Sequence, residues 1–189
     1  NVGSFQRGLR LKQGNLLGFG DGLNASYTNS DGSNNFSFNY TIPFNARNGR
    51  IQLTTELTDT RVVESPFDDL DIMGESQYYE LTVRQPIVQF PTQELALGLT
   101  FYRQNRESEL LGEPFPLSPG ANEKGETRIS AIRLFQDWVK RNQTEVFAVR
   151  SQFSLGVGAF NATINDDLPD SRFFSWRGPG QYVRRLAKN

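Results

Sequence analysis

The 189-residue chain contains no cysteine and no histidine. Without cysteine there is no disulfide, no zinc–thiolate site and no thiol nucleophile, and the redox compartment stays open. Without histidine the commonest general base and the commonest metal ligand are gone, and no Ser–His–Asp hydrolase can be built within the chain. An excess of one charge is also missing. Twenty Lys and Arg face 21 Asp and Glu, for a net charge of −1, and no basic stripe argues for a nucleic-acid partner. Long apolar runs are absent too: no segment approaches the ~18 consecutive apolar residues of a transmembrane helix. The mean hydropathy is −0.53. This leaves β-barrel membrane proteins open, because their strands need only ~9–11 residues and every second residue faces a polar lumen. No convincing amphipathic helix is found. The sequence opens at Asn1 without Met or a signal peptide, which suggests a processed or partial chain.

What is present is alternation. Leu95, Leu97, Leu99 and Phe101 interleave with Ala96, Gly98, Thr100 and Tyr102. Successive strand side chains point to opposite faces, so this run has one apolar and one small or polar face. The pattern recurs about nine times, as an all-β chain of two-faced strands would require. The first strand is expected over Ser4–Lys12 and the second over Gly22–Asn29. The third carries Phe36, Phe38, Tyr40 and Ile42 and ends at Pro43. The fourth carries Ile51, Leu53, Thr55 and Leu57. Asp31-Gly32 and Asn48-Gly49 are hairpin signals. The fifth strand is centred on Tyr79, Leu81 and Val83 and is expected to stop at Pro86. The sixth is expected over Glu94–Arg103, and the seventh, the least regular, over Glu126–Val139. The eighth carries Phe147, Val149, Phe153, Leu155 and Val157, and the ninth covers Gln181–Ala187.

The connections sort by length. The fourth (about Asp59–Ser76), sixth (Gln104–Gly125) and eighth (about Ala159–Gly178) are long, whereas the third, fifth and seventh are short. In an up-and-down meander, even-numbered connections gather at one end. Long loops at one end and tight turns at the other are the asymmetry of an outer-membrane barrel. A soluble sandwich has loops at both ends, but nothing in its physics segregates them by length. On this parity Asn1–Gly3 lies on the extracellular side. The strands read as part of an antiparallel up-and-down transmembrane β-barrel, all within one barrel domain. Nine strands do not complete a barrel, because bacterial barrels have even strand numbers.

On this reading Arg10, Glu56, Glu80, Arg84, Arg133, Arg150 and Gln152 face the lumen. Leu81, Val83, Leu95, Leu97, Leu99, Phe101, Phe147, Val149, Phe153 and Leu155 face lipid. Arg133 and Arg150 either line a conduit for unfolded polypeptide or pair with Glu80, Glu56 or Asp137 across strands. Tyr78, Tyr79, Phe90, Tyr102, Trp138 and Trp176 lie near expected strand ends and either form interfacial aromatic girdles or pack against loops. The Gly18–Gly22 run is a strand-to-strand turn, since no helix follows it to hold a phosphate. Asp68, Asp69 and Asp71, or Asp166, Asp167 and Asp170, lack the Gly and Glu spacing of an EF-hand. Glu107, Glu109 and Glu113 lie in an expected loop, which positions acids poorly for glycoside hydrolysis. The five Asn-x-Ser/Thr sequons, at Asn24, Asn35, Asn39, Asn142 and Asn161, reflect a composition rich in those residues.

Four stretches carry a resemblance to a known family. They are Gly14–Leu23 (GNLLGFGDGL), Asn39–Pro43 (NYTIP), Arg150–Gly156 (RSQFSLG), and Phe173–Gly178 (FFSWRG) leading into Gln181–Leu186. In this order they resemble outer-membrane transporters of two-partner secretion, the hemolysin-activator family, which are relatives of the barrel-assembly insertases. Pro179 departs from the family pattern, where Gln is expected. The resemblance implies strands two to ten of a sixteen-stranded barrel, with POTRA domains, the plug helix and the family's inward-folded loop outside this stretch. It also implies a Gram-negative outer membrane, a monomeric barrel, and an unfolded secreted exoprotein as partner. No enzyme activity, metal or cofactor is expected. An insertase and a soluble β-sandwich that binds carbohydrate or acts as an adhesin are the alternatives.

Overall fold

The computed structural model describes residue 3, residues 5–165 and residues 169–186. The strands are β1 (Gln6–Gly14), β2 (Gly22–Ser30), β3 (Ser33–Pro43), β4 (Arg50–Arg61), β5 (Met73–Phe90) and β6 (Gln93–Leu110). They continue with β7 (Glu113–Pro114), β8 (Glu126–Arg141), β9 (Glu145–Gly156), β10 (Phe174–Arg177) and β11 (Gly180–Arg184). All belong to a single antiparallel sheet in the order β1-β2-β3-β4-β5-β6-β8-β9-β10, with β7 beside β6 and β11 beside β9. The chain is an up-and-down meander, an open part of a barrel.

Local chemistry closes the short turns. Asn15 and Asn48 adopt positive φ, a region asparagine tolerates. The Asn45 side-chain oxygen accepts from the backbone N–H groups of Arg47 and Gly49 at 3.0 and 2.9 Å. Asn142 does the same for Thr144 and Glu145, both at 2.9 Å. These side chains mimic a backbone turn and set the hairpin register. In the first turn the Asp21 carboxylate accepts from Leu17 N–H at 3.0 Å and from the Tyr40 hydroxyl at 2.6 Å. The Tyr40 bond, first among several causes, holds the Asp21 carboxyl below its ordinary value.

Several strands run further than the alternation indicates. β5 passes through Pro86 to Phe90, with a bulge between Pro86 and Val88. A proline has no N–H to donate, and a bulge is where a strand tolerates that loss. β6 extends to Leu110 and β5 begins at Met73, because Gly74–Gln77 pairs with Asn105–Ser108 in unbroken register. The expected ninth strand starts earlier, at Phe174, and is interrupted. β10 and β11 keep one register against β9, broken only at Gly178-Pro179. There Arg150 N–H still donates to Pro179 O at 2.9 Å. Asn1, Val2, Ser4, Asp166, Asp167 and Ala187 lie outside the described residues.

Cross-strand register sorts the side chains into two faces. One transverse row reads Leu23, Tyr40, Leu53, Leu81, Phe101, Ile132, Leu155 and Phe174. The next reads Ile51, Val83, Leu99, Leu134, Phe153 and Trp176. On the opposite face the matching rows are Asn24, Asn39, Thr54, Glu80 and Tyr102, and Thr41, Gln52, Thr82, Thr100 and Arg133. Among the described residues no second sheet covers the apolar face. Among the described residues the buried apolar side chains are only Ala96, Ala121, Ala131 and Phe135, while Leu134 and Leu155 are 48% and 51% exposed. A soluble sandwich would have buried those rows in a dry core, so that alternative is set aside. Exposed apolar surface this extensive marks an interface with lipid or protein.

Candidate functional site

The polar face concentrates its chemistry where β5, β6, β8 and β9 lie side by side. Alternation along each strand delivers Glu80, Thr82 and Arg84 from β5, Gly98, Thr100 and Tyr102 from β6, Arg133, Phe135 and Asp137 from β8, and Arg150 and Gln152 from β9. Most of these side chains line one open cavity of about 290 Å³. Arg133 Nη1 stands 3.6 Å from Glu80 Oε2, and its guanidinium lies 3.7 Å above the Tyr102 ring centroid. Glu80 also accepts from the Tyr78 hydroxyl and, at 3.1 Å, from Thr82 Oγ1. Thr82 and Thr100 share a hydrogen bond of 2.7 Å.

A second group sits one row nearer the short turns. Arg84 reaches Glu94 at 2.5 Å and Asp137 at 3.7 Å, and Arg150 reaches Asp137 at 3.5 Å. The Arg150 guanidinium lies 4.0 Å above the Phe135 ring. That ring in turn rests on Gly98, where a Cβ would overlap it. Gly98, Phe135 and Arg150 therefore form a stack that needs a missing side chain at its base. The pairs are part-exposed, so each contributes about 0–1 kcal/mol. Their main effect is to orient charge along the polar face.

All seven residues read as lumen-facing (Arg10, Glu56, Glu80, Arg84, Arg133, Arg150 and Gln152) share this face. Five converge on the cavity, whereas Arg10 and Glu56 fall in a separate row with Ser26, Ser37 and Tyr78. All ten residues read as lipid-facing (Leu81, Val83, Leu95, Leu97, Leu99, Phe101, Phe147, Val149, Phe153 and Leu155) share the opposite face. The aromatic reading needs correction. Tyr78 and Tyr102 sit on the polar face, with ring centroids 6.0 Å apart, because they share the parity of Glu80. Tyr79, Phe90, Trp138 and Trp176 remain on the apolar face. Sequence reading missed Glu94 and the Phe135 stack. The available signal was a large aromatic on the polar parity of β8 opposite a glycine.

The acidic runs resolve into local pairs. Asp71 faces Arg61 at 2.7 Å, Asp170 accepts from Arg172 Nε at 2.7 Å, and Glu107 lies 3.8 Å from Arg128. The Arg172 hydrogen bonds, that of the side chain foremost, lower the Asp170 carboxyl. No group of three potential ligands gathers among the described residues.

At the opposite end the long loops pack on one another. Ser108 Oγ donates to Phe115 O at 2.7 Å and draws the 111–125 connection over the polar face, above a cavity of about 590 Å³. The 157–173 connection is fastened to β8 at Arg128. Arg128 N–H donates to Thr163 Oγ1 at 2.9 Å, and Ser171 Oγ donates to Arg128 O at 2.7 Å.

A sequence profile described as haemolysin secretion/activation protein ShlB/FhaC/HecB matches residues 1–189. The chain belongs to this family. Its members are outer-membrane β-barrel proteins, and this chain is a membrane-embedded part of such a barrel. Among solved structures, CdiB from Escherichia coli is similar at a TM-score of 0.82 and 16% identity over 98% of this chain. CdiB from Acinetobacter baumannii follows at 0.64 and 16% over 94%. The chain spans 35% of the E. coli protein and 31% of the A. baumannii protein. BamA from Haemophilus ducreyi, lacking POTRA domains 1–3, gives a TM-score of 0.47 at 16% identity, covering 84% of this chain and 35% of that one. A search of curated proteins gave no match.

Proposed function

We propose that this chain is the wall of an outer-membrane channel that moves a large exoprotein, of hemolysin or adhesin type, outward in two-partner secretion. The observation that carries the reading is the family match over residues 1–189, in a chain whose polar face gathers charged, hydroxyl and amide side chains around an open cavity. An unfolded polypeptide passing the cavity on this face meets hydroxyls, amides and ion pairs, which hold it less firmly than an apolar wall would. The seven polar-face residues would line the passage, and the ten apolar-face residues would meet lipid. The chain would supply strands two to ten of sixteen, with POTRA domains and the remaining strands contributed by the rest of the protein. The long-loop end would be extracellular and the short-turn end periplasmic.

Transport of this kind requires no covalent chemistry, so no catalytic residue, cofactor or nucleotide is assigned. Folding of the exoprotein outside would give direction. Deletion of the full-length gene, followed by mass spectrometry of the secreted and outer-membrane proteomes, tests the proposal. Loss of one large secreted protein with the outer membrane intact is the expected result. Broad loss of other barrels would favour the insertase alternative.

A further inference from the structure

The charges on the polar face are not balanced along its height. One transverse row, at the short-turn half of the wall, reads Arg50, Arg84, Gly98, Phe135, Gln152 and Arg177 from β4 to β10. Arg150 stands one row nearer the turns, opposite Asp137. The row crosses five strand spacings, about 24 Å of wall at ~4.8 Å each. Four arginines thus share the two carboxylates of Glu94 and Asp137. Arg84 takes both, Arg150 takes Asp137, and Arg50 and Arg177 have no ion-pair partner among the described residues. Arg50 and Arg177 are also exposed. Arg50 lies directly opposite Arg84, a like-charge pair that disfavours the sheet. The next row toward the long loops carries Gln52, Thr82, Thr100, Arg133 and Ser154, with Glu80 at hand for its one arginine. The cationic surplus is therefore local to a belt, although the whole chain carries a net charge of −1.

We infer that this belt is a docking surface for carboxylates of an acidic, extended polypeptide segment. A guanidinium presents a planar fork that matches a carboxylate with two parallel hydrogen bonds. Arg50 and Arg177 hold such forks free, at one height, on opposite flanks of the Phe135–Arg150 stack. Arg84 and Arg150 are balanced by Glu94 and Asp137, so the surplus positive charge of the belt sits on its two flanks. An extended strand that runs across the belt meets unpaired charge at both flanks and, between them, the paired Arg84, the Phe135 ring and the Gln152 amide. The inference deepens the proposed function, and rests on it for the identity of the segment as part of the transported chain. The position at the short-turn end places the belt at the mouth a periplasmic polypeptide would enter.

The test measures binding of three fluorescent peptides, Glu-rich, Lys-rich and Ser/Gly-rich, to the detergent-solubilised full-length protein by anisotropy. The Glu-rich peptide is expected to bind best, more weakly as salt is raised. The double variant Arg50→Gln/Arg177→Gln is expected to lose at least about tenfold in that affinity, since each arginine supplies a charged hydrogen-bond partner. Lys140→Gln/Arg184→Gln, which removes two cations from the opposite face, is expected to change nothing. Both double variants must keep the wild-type shift on heating in gel electrophoresis, which reports a folded barrel. Equal binding of all three peptides, or equal losses in the two double variants, would overturn the inference. Because binding is read in purified protein, it can fail while the secretion test succeeds, and the reverse.

Discussion

The two faces of the sheet are drawn from alternate residues of the same strands, yet they follow different rules. On the apolar face, position decides nearly everything. Leu81, Phe101, Ile132 and Leu155 make a continuous row with few specific contacts, and any residue of similar size and hydropathy would serve. On the polar face, partners decide. Glu80 serves Arg133, Tyr78 and Thr82 at once, and Phe135 is accommodated only because Gly98 has no side chain. One face is selected by its solvent and the other by its neighbours.

The largest effect should come from violating the solvent rule. Leu99→Arg, near the middle of the apolar rows, is expected to cost about 2–4 kcal/mol in urea titrations of the lipid-reconstituted protein. Thr54→Arg, opposite Glu80 on the polar face, should change stability by less than about 1 kcal/mol. Similar costs at both sites would erase the distinction. Gly98→Ala breaks the neighbour rule. The added Cβ meets the Phe135 ring, and the expected cost is about 1–3 kcal/mol, with Arg150 displaced from its stack. A smaller effect is expected at the Arg133–Glu80 pair. A double-mutant cycle with Arg133→Ala and Glu80→Gln should return a coupling of about 0–1 kcal/mol, because the pair is part-exposed.

The smallest effect concerns the first turn. The native carboxyl of Asp21 titrates below its ordinary value of 3.8, so the turn's contribution is fully present above that value. It is lost as the pH falls through the lower native one. Amide exchange at Leu17 should lose protection only in strongly acidic buffer. Loss beginning at neutral pH would contradict the assignment.

Much of this was legible in the sequence because period-two alternation carries both strand type and face, and loop-length parity shows which connections share an end. Asp31-Gly32 and Asn48-Gly49 gave their hairpins directly. What escaped was whatever depends on a partner strand. Pro86 reads locally as a stop, but the unbroken pairing of β5 with β6 absorbs it in a bulge. The extension of β6 to Leu110 rests on its pairing with β5, since Arg103–Leu110 is too polar to show a period. Tyr78 and Tyr102 look like girdle residues until register places them beside Glu80. Phe135 makes β8 look irregular until Gly98 is found beneath it.

The central claim is that one face of these strands meets lipid and the other water. It is tested most directly by single-cysteine scanning of Leu95 to Tyr102 in a cysteine-free background, each site spin-labelled in the full-length protein in lipid vesicles. The ratio of collision rates with oxygen and with a water-soluble nickel complex should alternate with a period of two. Oxygen should dominate at Leu95, Leu97, Leu99 and Phe101, and nickel should reach Tyr102; Gly98 is left unlabelled, because a side chain there overlaps the Phe135 ring. A uniform ratio along the strand, or alternation of the opposite phase, would contradict the account.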